Sequence, residues 1–281
     1  MKTFKFLFTV AALFATAVAA NAQDREAGIF IGTAQYQGDL SEKQITLSET
    51  KLGFGILGRY YFNPRVNLKG IINYGWIAGD DKNYGSAADP DPDGRWKRNL
   101  NFRSHILELS GQVELNILPF ISNSKRYRFA PYVFTGASLY HFNPTTEYNG
   151  SKVALQPLGT EGQLLNGQDK RYHRLQGSIP YGFGLKYSLG NFWNIGLELG
   201  QRKTFTDYLD DVSGPKYTNY DQLVIQNPVA ADLAYRGDEV RPNIPSPEPD
   251  NIRGDNTDLD TYIFAGFTIT KTIRRFSCTN F

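Results

Sequence analysis

The chain has 281 residues, with 30 lysines and arginines against 28 aspartates and glutamates, so its formal net charge is +2. That small charge gives no global attraction to nucleic acid, and we expect no nucleic-acid partner. Cys278 is the only cysteine, which excludes a framework of internal disulfide bonds.

The N-terminus carries the features of an export signal. Two lysines flank the start of an uncharged run from Phe6 to Ala20, and Ala20-Asn21-Ala22 matches an A-x-A cleavage site. We therefore expect residues 1–22 to be a signal peptide and residues 23–281 to form the mature protein. The apolar run is shorter than the roughly 20 residues that a transmembrane helix needs. Removal of the two lysines would lower the net charge from +2 to 0.

Eight stretches of the mature chain alternate between apolar and polar residues, and each predicts a β-strand. The first alternates weakly, and the fifth is apolar on both faces. The sequence therefore leaves open whether the fifth strand turns Tyr132 and Phe134, or Val133 and Leu139, toward lipid. The predicted strands lie near residues 27–37, 52–62, 66–76, 107–117, 129–142, 175–187, 193–202 and 259–272.

The connections between these strands alternate strictly between short and long. In a barrel threaded through a membrane, inner turns only reverse the chain, while outer loops are free to grow. The pattern predicts an all-β protein: an eight-stranded antiparallel transmembrane β-barrel of the bacterial outer membrane, with short periplasmic turns. The long outer loops lie at about residues 38–50, 79–100, 143–171 and 207–258. The last is rich in proline, aspartate and asparagine, so we expect it to be flexible or extended.

Charged residues within the strands indicate which face lines the lumen. A charge that faces lipid at mid-membrane costs roughly 2–4 kcal/mol, so the polar face of each strand should point inward. Four positive and three negative charges on these faces nearly cancel, and an eight-stranded barrel is just wide enough for side chains to fill it. We therefore expect a filled, ion-paired lumen rather than an open pore. The predicted lumen charges are Arg59, Lys69, Glu108, Glu114, Lys186, Glu198 and Arg202.

One glycine motif resembles a nucleotide-binding signature. Residues 53–58 read GFGILG and match G-x-G-x-x-G, but that motif functions at a turn from a strand into a helix. Here the glycines lie inside an alternating strand of an exported chain. We interpret them as small residues that face the lumen, and we expect no cofactor.

An acidic loop resembles the start of a calcium-binding loop. Asp89, Asp91 and Asp93 occupy positions 1, 3 and 5, and Gly94 follows. The bidentate glutamate expected at position 12 is missing, because Leu100 stands there. An ordinary acidic turn is therefore the preferred interpretation, and calcium binding by these aspartates is the alternative.

A lipid-modifying enzyme is the catalytic alternative for a small barrel. It would require a nucleophile, a base and an orienting carboxylate in contact. Ser104, His105 and Glu108 are close in the chain, but successive residues of a strand point to opposite faces. Ser104 and His105 should therefore not meet, and we expect no enzyme and no catalytic residues.

The inner turns and the C-terminal end of the last strand are basic. Ordinary attraction to phospholipid headgroups accounts for such charges, and a docking surface for a periplasmic partner accounts for them equally well. The sequence favours neither interpretation. The candidate partner-binding residues are Arg65, Lys125, Arg126, Arg274 and Arg275.

Several segments of the mature chain together resemble one family. They are Asn101–Leu109 (NFRSHILEL), Pro131–Phe134, His141–Pro144, Leu155–Gly162 and Gly200–Ser213 (GQRKTFTDYLDDVS). The set is similar to the PorG family, small outer-membrane barrels of the type IX secretion system of Bacteroidota. The resemblance spans essentially the whole mature chain.

The resemblance implies a non-enzymatic barrel that anchors or organises the secretion machinery. Its expected partners are outer-membrane lipids and the periplasmic ring built from a PorK-like lipoprotein and a PorN-like protein. The alternative is an OmpA-like surface barrel whose long outer loops bind an external ligand or matrix.

Overall fold

The computed structural model describes residues 24–41, 49–84, 95–214, 216–240, 253–255 and 258–273. Within these ranges, no helix has the length and apolar character required to cross a membrane. The signal peptide, the Asp89–Asp93 loop, Arg274 and Arg275 lie outside them.

Within the described residues, ten antiparallel strands make up most of the structure, and eight of them form the barrel wall. The remaining two, β6 (Thr145–Tyr148) and β7 (Ser151–Ala154), form a hairpin in the third long loop. The wall strands are β1 (Arg25–Gln37), β2 (Lys51–Tyr61), β3 (Val66–Asp80), β4 (Asn101–Asn116), β5 (Phe129–Phe142), β8 (Leu175–Gly190), β9 (Trp193–Thr204) and β10 (Thr261–Ile273).

Each wall strand pairs with its neighbours in the order β1-β2-β3-β4-β5-β8-β9-β10. The sheet then closes on itself, because β1 pairs with β10 from Arg25 opposite Ile273 to Gln37 opposite Thr261. Closure leaves no unpaired edge among the wall strands, which is what a β-structure needs inside a bilayer. The predicted eight-stranded antiparallel barrel is confirmed.

Alternation along the strands separates an apolar exterior from a polar interior. In β4, Leu107 and Leu109 are 48% and 59% exposed, whereas Glu108 between them is 0% exposed. The strand that the sequence left unoriented follows the same rule. Val133 and Leu139 of β5 point outward, and their intervening neighbours are buried in the lumen.

The barrel has one end with short turns and one with long loops. At the first end, residues 62–65, 117–128 and 191–192 reverse the chain, and the first and last strands begin and end there. The tightest of these turns places Asn191 and Phe192 at φ values of 49° and 66°, the left-handed conformation of a two-residue hairpin. We call the first end inner and the other outer.

The outer loops fold into a compact layer, which we name the outer cap (residues 38–41, 49–50, 81–84, 95–100, 143–174, 205–240 and 253–260 where described). It contains three short helices: α1 (Arg95–Arg98), α2 (Tyr220–Gln226) and α3 (Pro228–Ala234). Single 3-10 turns lie at Asp81–Tyr84, Leu165–Gly167 and Gly237–Glu239. The β6–β7 hairpin completes the layer.

The expectation that residues 207–258 are flexible or extended is wrong for residues 207–214 and 216–240. Leu209, Val212, Leu223 and Leu233 are each at most 3% exposed, so this segment carries apolar anchors despite its polar composition. The side chains of Asn219 and Asn227 cap the N-termini of α2 and α3, because they accept hydrogen bonds from the backbone N–H groups of Gln222 and Val229. The proline cluster that dominated the prediction, residues 242–249, lies outside the described residues.

The apolar core of the cap continues into the barrel. Leu40, Leu100 and Leu155 from three loops pack in one cluster with Tyr262 and Phe264 of β10. The cap and the outer part of the lumen therefore form one hydrophobic core, and the outer loops are a structural part of the barrel.

Candidate functional site

The seven predicted lumen charges all lie inside the barrel, and none is more than 3% exposed. They come from five strands, β2, β3, β4, β8 and β9, and the structure brings them together in two groups. Near the inner end, Arg59, Lys69, Glu114, Lys186 and Glu198 form a continuous ion-paired network. Nearer the cap, Arg202 pairs with Glu108.

Glu114 is the centre of the inner network. Arg59 Nε lies 3.0 Å and Lys69 Nζ 3.4 Å from its Oε1, and Lys186 pairs with its Oε2. Asn67 Nδ2 donates a further bond of 3.0 Å. Three cations thus contact this one carboxylate in a buried site, where an unpaired charge costs several kcal/mol.

Glu198 links the network to the opposite wall. Its Oε2 lies 2.6 Å from Lys69 Nζ and accepts a 2.7 Å bond from the Tyr132 hydroxyl. Aromatic rings cover the cations: Lys69 Nζ is 4.4 Å from the centre of the Phe134 ring, and Lys186 Nζ is 4.4 Å from that of Tyr132. Side chains therefore fill the lumen at this level.

The second group closes the lumen below the cap. Arg202 Nε lies 3.0 Å from Glu108 Oε2, which also accepts a 2.8 Å bond from the Tyr262 hydroxyl. Asn73 Nδ2 donates to Glu108 Oε1 at 2.8 Å, and the Arg202 guanidinium lies 4.9 Å from the centre of the Phe264 ring.

One lumen charge escaped the sequence analysis. Glu26 is 3% exposed and lies 3.4 Å from Arg59 Nη1, and its other oxygen accepts a 2.8 Å bond from Asn194. It was missed because weak alternation placed the start of the first strand at Ala27, two residues after its observed start at Arg25. With Glu26 the described lumen holds four acidic and four basic side chains, so its formal charges cancel.

The cap contains a second set of buried ion pairs that join its loops. Arg98 holds Asp81 with two bonds of 2.8 Å and donates to the backbone carbonyls of Asp39, at 2.9 Å, and Arg253. Arg253 in turn pairs with Glu161. Four loops distant in the chain are thereby fixed to one another.

Asp210 and Asp260 share one hydroxyl group at the floor of the cap. The Tyr36 hydroxyl oxygen lies 2.6 Å from Asp210 Oδ2 and 2.9 Å from Asp260 Oδ1. A phenol has one hydrogen, so the two carboxyl groups compete for a single donor. Burial and mutual repulsion, with Asp39 and Asp207 nearby, raise the pKa of both carboxyls well above the usual range.

Two neighbouring aspartates of the cap also have raised pKa values, which makes the stability of the cap depend on pH. Burial raises the pKa of Asp207 and of Asp211 to about 7 each, against about 3.9 in an unfolded chain. Between these values the folded cap binds more protons than the unfolded chain. The stabilising contribution of Asp207 and Asp211 to the free energy of unfolding of the cap should therefore fall as pH rises from about 4 to about 7.

Hydrogen exchange of the amides of residues 205–214, corrected for intrinsic rates, checks this prediction. We expect stronger protection at pH 5.5 than at pH 8, and a smaller difference in the Asp207→Asn variant. Protection that rises with pH would contradict the assignment.

The inner end presents its basic side chains to solvent. Arg65, Lys125 and Arg126 are exposed on two neighbouring turns, and Arg65 Nη1 donates to the Ile117 carbonyl at 2.7 Å. Arg128, which the sequence analysis did not single out, is exposed beside them and donates to the Tyr187 hydroxyl at 2.8 Å. A cavity of about 200 Å³ opens between these turns and the start of β1, lined by side chains that include Glu26, Tyr61, Phe62, Pro64 and Phe120.

The other motifs are not brought into sites. Ser104 is buried and accepts a 2.9 Å bond from the Asn143 backbone N–H, while His105 lies on the outer surface of the wall. Glu108 is committed to Arg202, so these three residues form no catalytic triad. The glycines of residues 53–58 lie within β2. Gly53 and Gly55 face the lumen as interpreted, but that interpretation is wrong for Gly58, which faces outward.

A closed antiparallel barrel with an apolar exterior and a charge-balanced lumen defines a transmembrane β-barrel of the outer-membrane type. Residues 2–235 match the family model described as a domain of unknown function, DUF6089, and the chain belongs to that family.

Solved outer-membrane barrels have similar chain traces. Ail, the attachment invasion locus protein of Yersinia pestis, is 9% identical with a TM-score of 0.41, covering 90% of this chain and 100% of Ail. OprG of Pseudomonas aeruginosa is 9% identical with a TM-score of 0.36, covering 89% and 96%. The outer membrane enzyme PagL is 11% identical with a TM-score of 0.29, covering 89% and 98%. No curated protein matches the sequence.

Proposed function

We propose that this barrel anchors or organises the type IX protein secretion machinery at the outer membrane and contacts its periplasmic ring. A PorK-like lipoprotein and a PorN-like protein are the proposed ring partners. The observation that carries the proposal is the packed lumen beneath an ordered cap. Because side chains occupy the interior, the surfaces available for binding a partner are the two ends of the barrel and its lipid-facing wall.

The inner end supports the contact with a partner. Three exposed cations lie next to a cavity whose lining combines aromatic and acidic side chains. Such a surface offers a periplasmic protein both a charged rim and a recess for an anchoring side chain. The resemblance to the PorG family supplies the identity of the proposed partner.

The Gly200–Ser213 segment of that resemblance has a structural role. Arg202 pairs with Glu108, Asp210 lies against Tyr36, and Asp211 accepts bonds from Thr160 and Tyr172 of 2.5 Å and 2.6 Å. The segment joins the lumen to the cap. The proposed partner contacts therefore lie elsewhere, at the inner turns.

The first test is the secretome of a strain that lacks this protein, measured by quantitative proteomics against wild type. We expect proteins with a C-terminal secretion domain to disappear from the medium and cell surface and to accumulate in the periplasm. An unchanged secretome would overturn the secretion role and leave the barrel assignment intact.

The second test addresses the contact surface. The triple variant Arg65→Glu, Lys125→Glu, Arg126→Glu should lose co-purification of the ring partner at least tenfold, because like charges would face the site that now attracts it. The barrel should still show heat-modifiable migration. The matched control, Lys97→Glu, Lys170→Glu, Arg171→Glu, places three reversals on the outer cap and should retain the partner. Equal retention by both variants would contradict the proposal.

A surface-binding role is the second candidate, and the ordered cap favours it. Helix α2 presents Ile225, which is 86% exposed, on a rigid layer rather than on a flexible loop. An Ile225→Asp variant that loses attachment to matrix, in cells whose secretion is unchanged, would support this role over the first.

A further inference from the structure

A group of basic side chains lies on the outside of the barrel wall, just beyond the apolar band. Arg103 and His105 continue the lipid-facing row of β4 past Leu107, and His141 continues that of β5 past Leu139. Two further cations complete the group, one at the start of β8 and one in the β6–β7 hairpin. The outer-rim basic patch consists of Arg103, His105, His141, Lys152 and Arg174.

The members of the patch are close together. The rings of His105 and His141 stack with centroids 5.4 Å apart, and Lys152 and Arg174 are both near enough to repel positive charge on His105. Arg174 Nη1 is held by a 3.1 Å bond to Asn143 Oδ1. Because strands lie about 4.8 Å apart, the three strands β4, β5 and β8 span a width that one headgroup can bridge.

Among the described residues, the three cations of the patch form no ion pair. Within the described ranges, Arg103, Lys152 and Arg174 have no carboxylate within 4.0 Å, and Glu147 faces Lys152 across the hairpin without forming an ion pair. The lumen cations, by contrast, are all paired. Exposed cations at the inner rim rest on aromatic rings, as Arg25 does on Tyr60 at 5.7 Å.

The outer rim over β9 and β10 also carries an exposed cation, Lys203, which stands opposite Thr261. There Gln37, Gln201 and Thr261 bond to one another at 3.2–3.3 Å. The basic side chains over β4, β5, β8 and the β6–β7 hairpin therefore form a larger group than the single exposed lysine over β9.

We propose that the outer-rim basic patch binds the phosphate headgroup of an anionic lipid in the outward-facing leaflet. The position of the patch along the membrane normal supports a lipid rather than free phosphate. Trp76, an interfacial residue type, stands opposite His105. Below the patch, Leu107, Leu139 and Leu175 face the acyl chains. Arginine pairs with phosphate in a bidentate manner, and basic pockets between membrane-spanning elements bind phosphorylated headgroups. The site depends on the outer-membrane placement and is independent of the secretion role.

Native mass spectrometry of the full barrel in an uncharged detergent tests the site, with lipid A as the probe and phosphatidylcholine as the neutral comparison. We expect one lipid A to be retained per barrel. The Arg103→Gln, Arg174→Gln variant should bind it roughly tenfold more weakly or worse, a loss of about 1.4 kcal/mol. The control Arg25→Gln, Lys271→Gln removes two lipid-facing charges at the inner rim and should bind normally.

Equal affinity of the two double variants, or equal retention of phosphatidylcholine, would overturn the proposal. So would release of lipid A by millimolar inorganic phosphate, since that result would mark a site for the free anion. If the double variant does not fold, the single variant Arg174→Gln tests the site. Arg174 lies before β8 and outside the barrel wall, so its substitution should not prevent folding. That single variant should still weaken lipid A binding severalfold, and unchanged affinity would reject the site.

Discussion

Replacing Glu114 by alanine is expected to lower the free energy of unfolding of the barrel by about 3–5 kcal/mol, the usual effect of removing one partner from a buried ion pair. The physical reason is the position of its carboxylate at 3.0 Å from Arg59 and 3.4 Å from Lys69, and in contact with Lys186. Without it, three cations remain in a lumen where Glu198 and Glu26 are the nearest remaining acids, and water reaches none of them freely.

Urea-driven unfolding in lipid vesicles measures this effect. Trp76 and Trp193 lie on the lipid-facing surface, at 43% and 45% exposure, so their fluorescence reports the loss of the apolar environment. Glu147→Ala is the matched control, because Glu147 is an exposed glutamate of the hairpin and its removal should leave the unfolding curve unchanged. Identical midpoints for the two variants would show that the lumen network does not stabilise the barrel.

Arg98→Ala should open the outer cap while the barrel wall stays folded. The substitution leaves Asp81, 0% exposed, as a buried carboxylate without its cation and removes the bonds to Asp39 and Arg253. We expect the cap to lose about 3–5 kcal/mol of stability, again the range for a broken buried pair. Limited proteolysis should then cut within residues 95–100 or 205–240, and these segments should resist cleavage in the parent protein.

The natural control for this variant is another arginine–aspartate pair of the cap. Arg171 holds Asp169 with two bonds of 2.8 Å and 2.6 Å, a geometry similar to that of Arg98 with Asp81, but in solvent. Exposed pairs contribute little to stability, so Arg171→Ala should leave the proteolysis pattern unchanged. If the two variants were cut at the same rate, burial of the Arg98 pair would not be what closes the cap.

The wall of the barrel could be predicted because the alternation of residues within each strand is a local pattern. Alternation with a period of two assigns Leu107 to lipid and Glu108 to the lumen without knowledge of any neighbour. The fifth strand was the exception, because both of its faces are apolar. Tyr132 faces inward since its hydroxyl binds Glu198, 66 residues away, and no pattern within the strand itself contains that fact.

The cap could not be predicted, for a related physical reason. Its structure depends on contacts between loops: Arg98 bonds to the carbonyl of Arg253, 155 residues later in the chain. Composition indicated a flexible fourth loop, because a few apolar anchors among many polar residues do not form a periodic pattern. The outer-rim basic patch likewise combines three strands and a hairpin, and no single segment of the sequence displays it.

The bond between Tyr36 and Asp260 also sets an order of events in time. Tyr36 belongs to the first strand and Asp260 immediately precedes the last, 224 residues later. Their contact crosses the seam at which the sheet closes, so it forms only when the final strand has joined the first. The polar outer loops must therefore cross the bilayer before the outer cap can form. Protection of the cap against hydrogen exchange should therefore appear only when membrane insertion is complete, after the last strand has paired with the first.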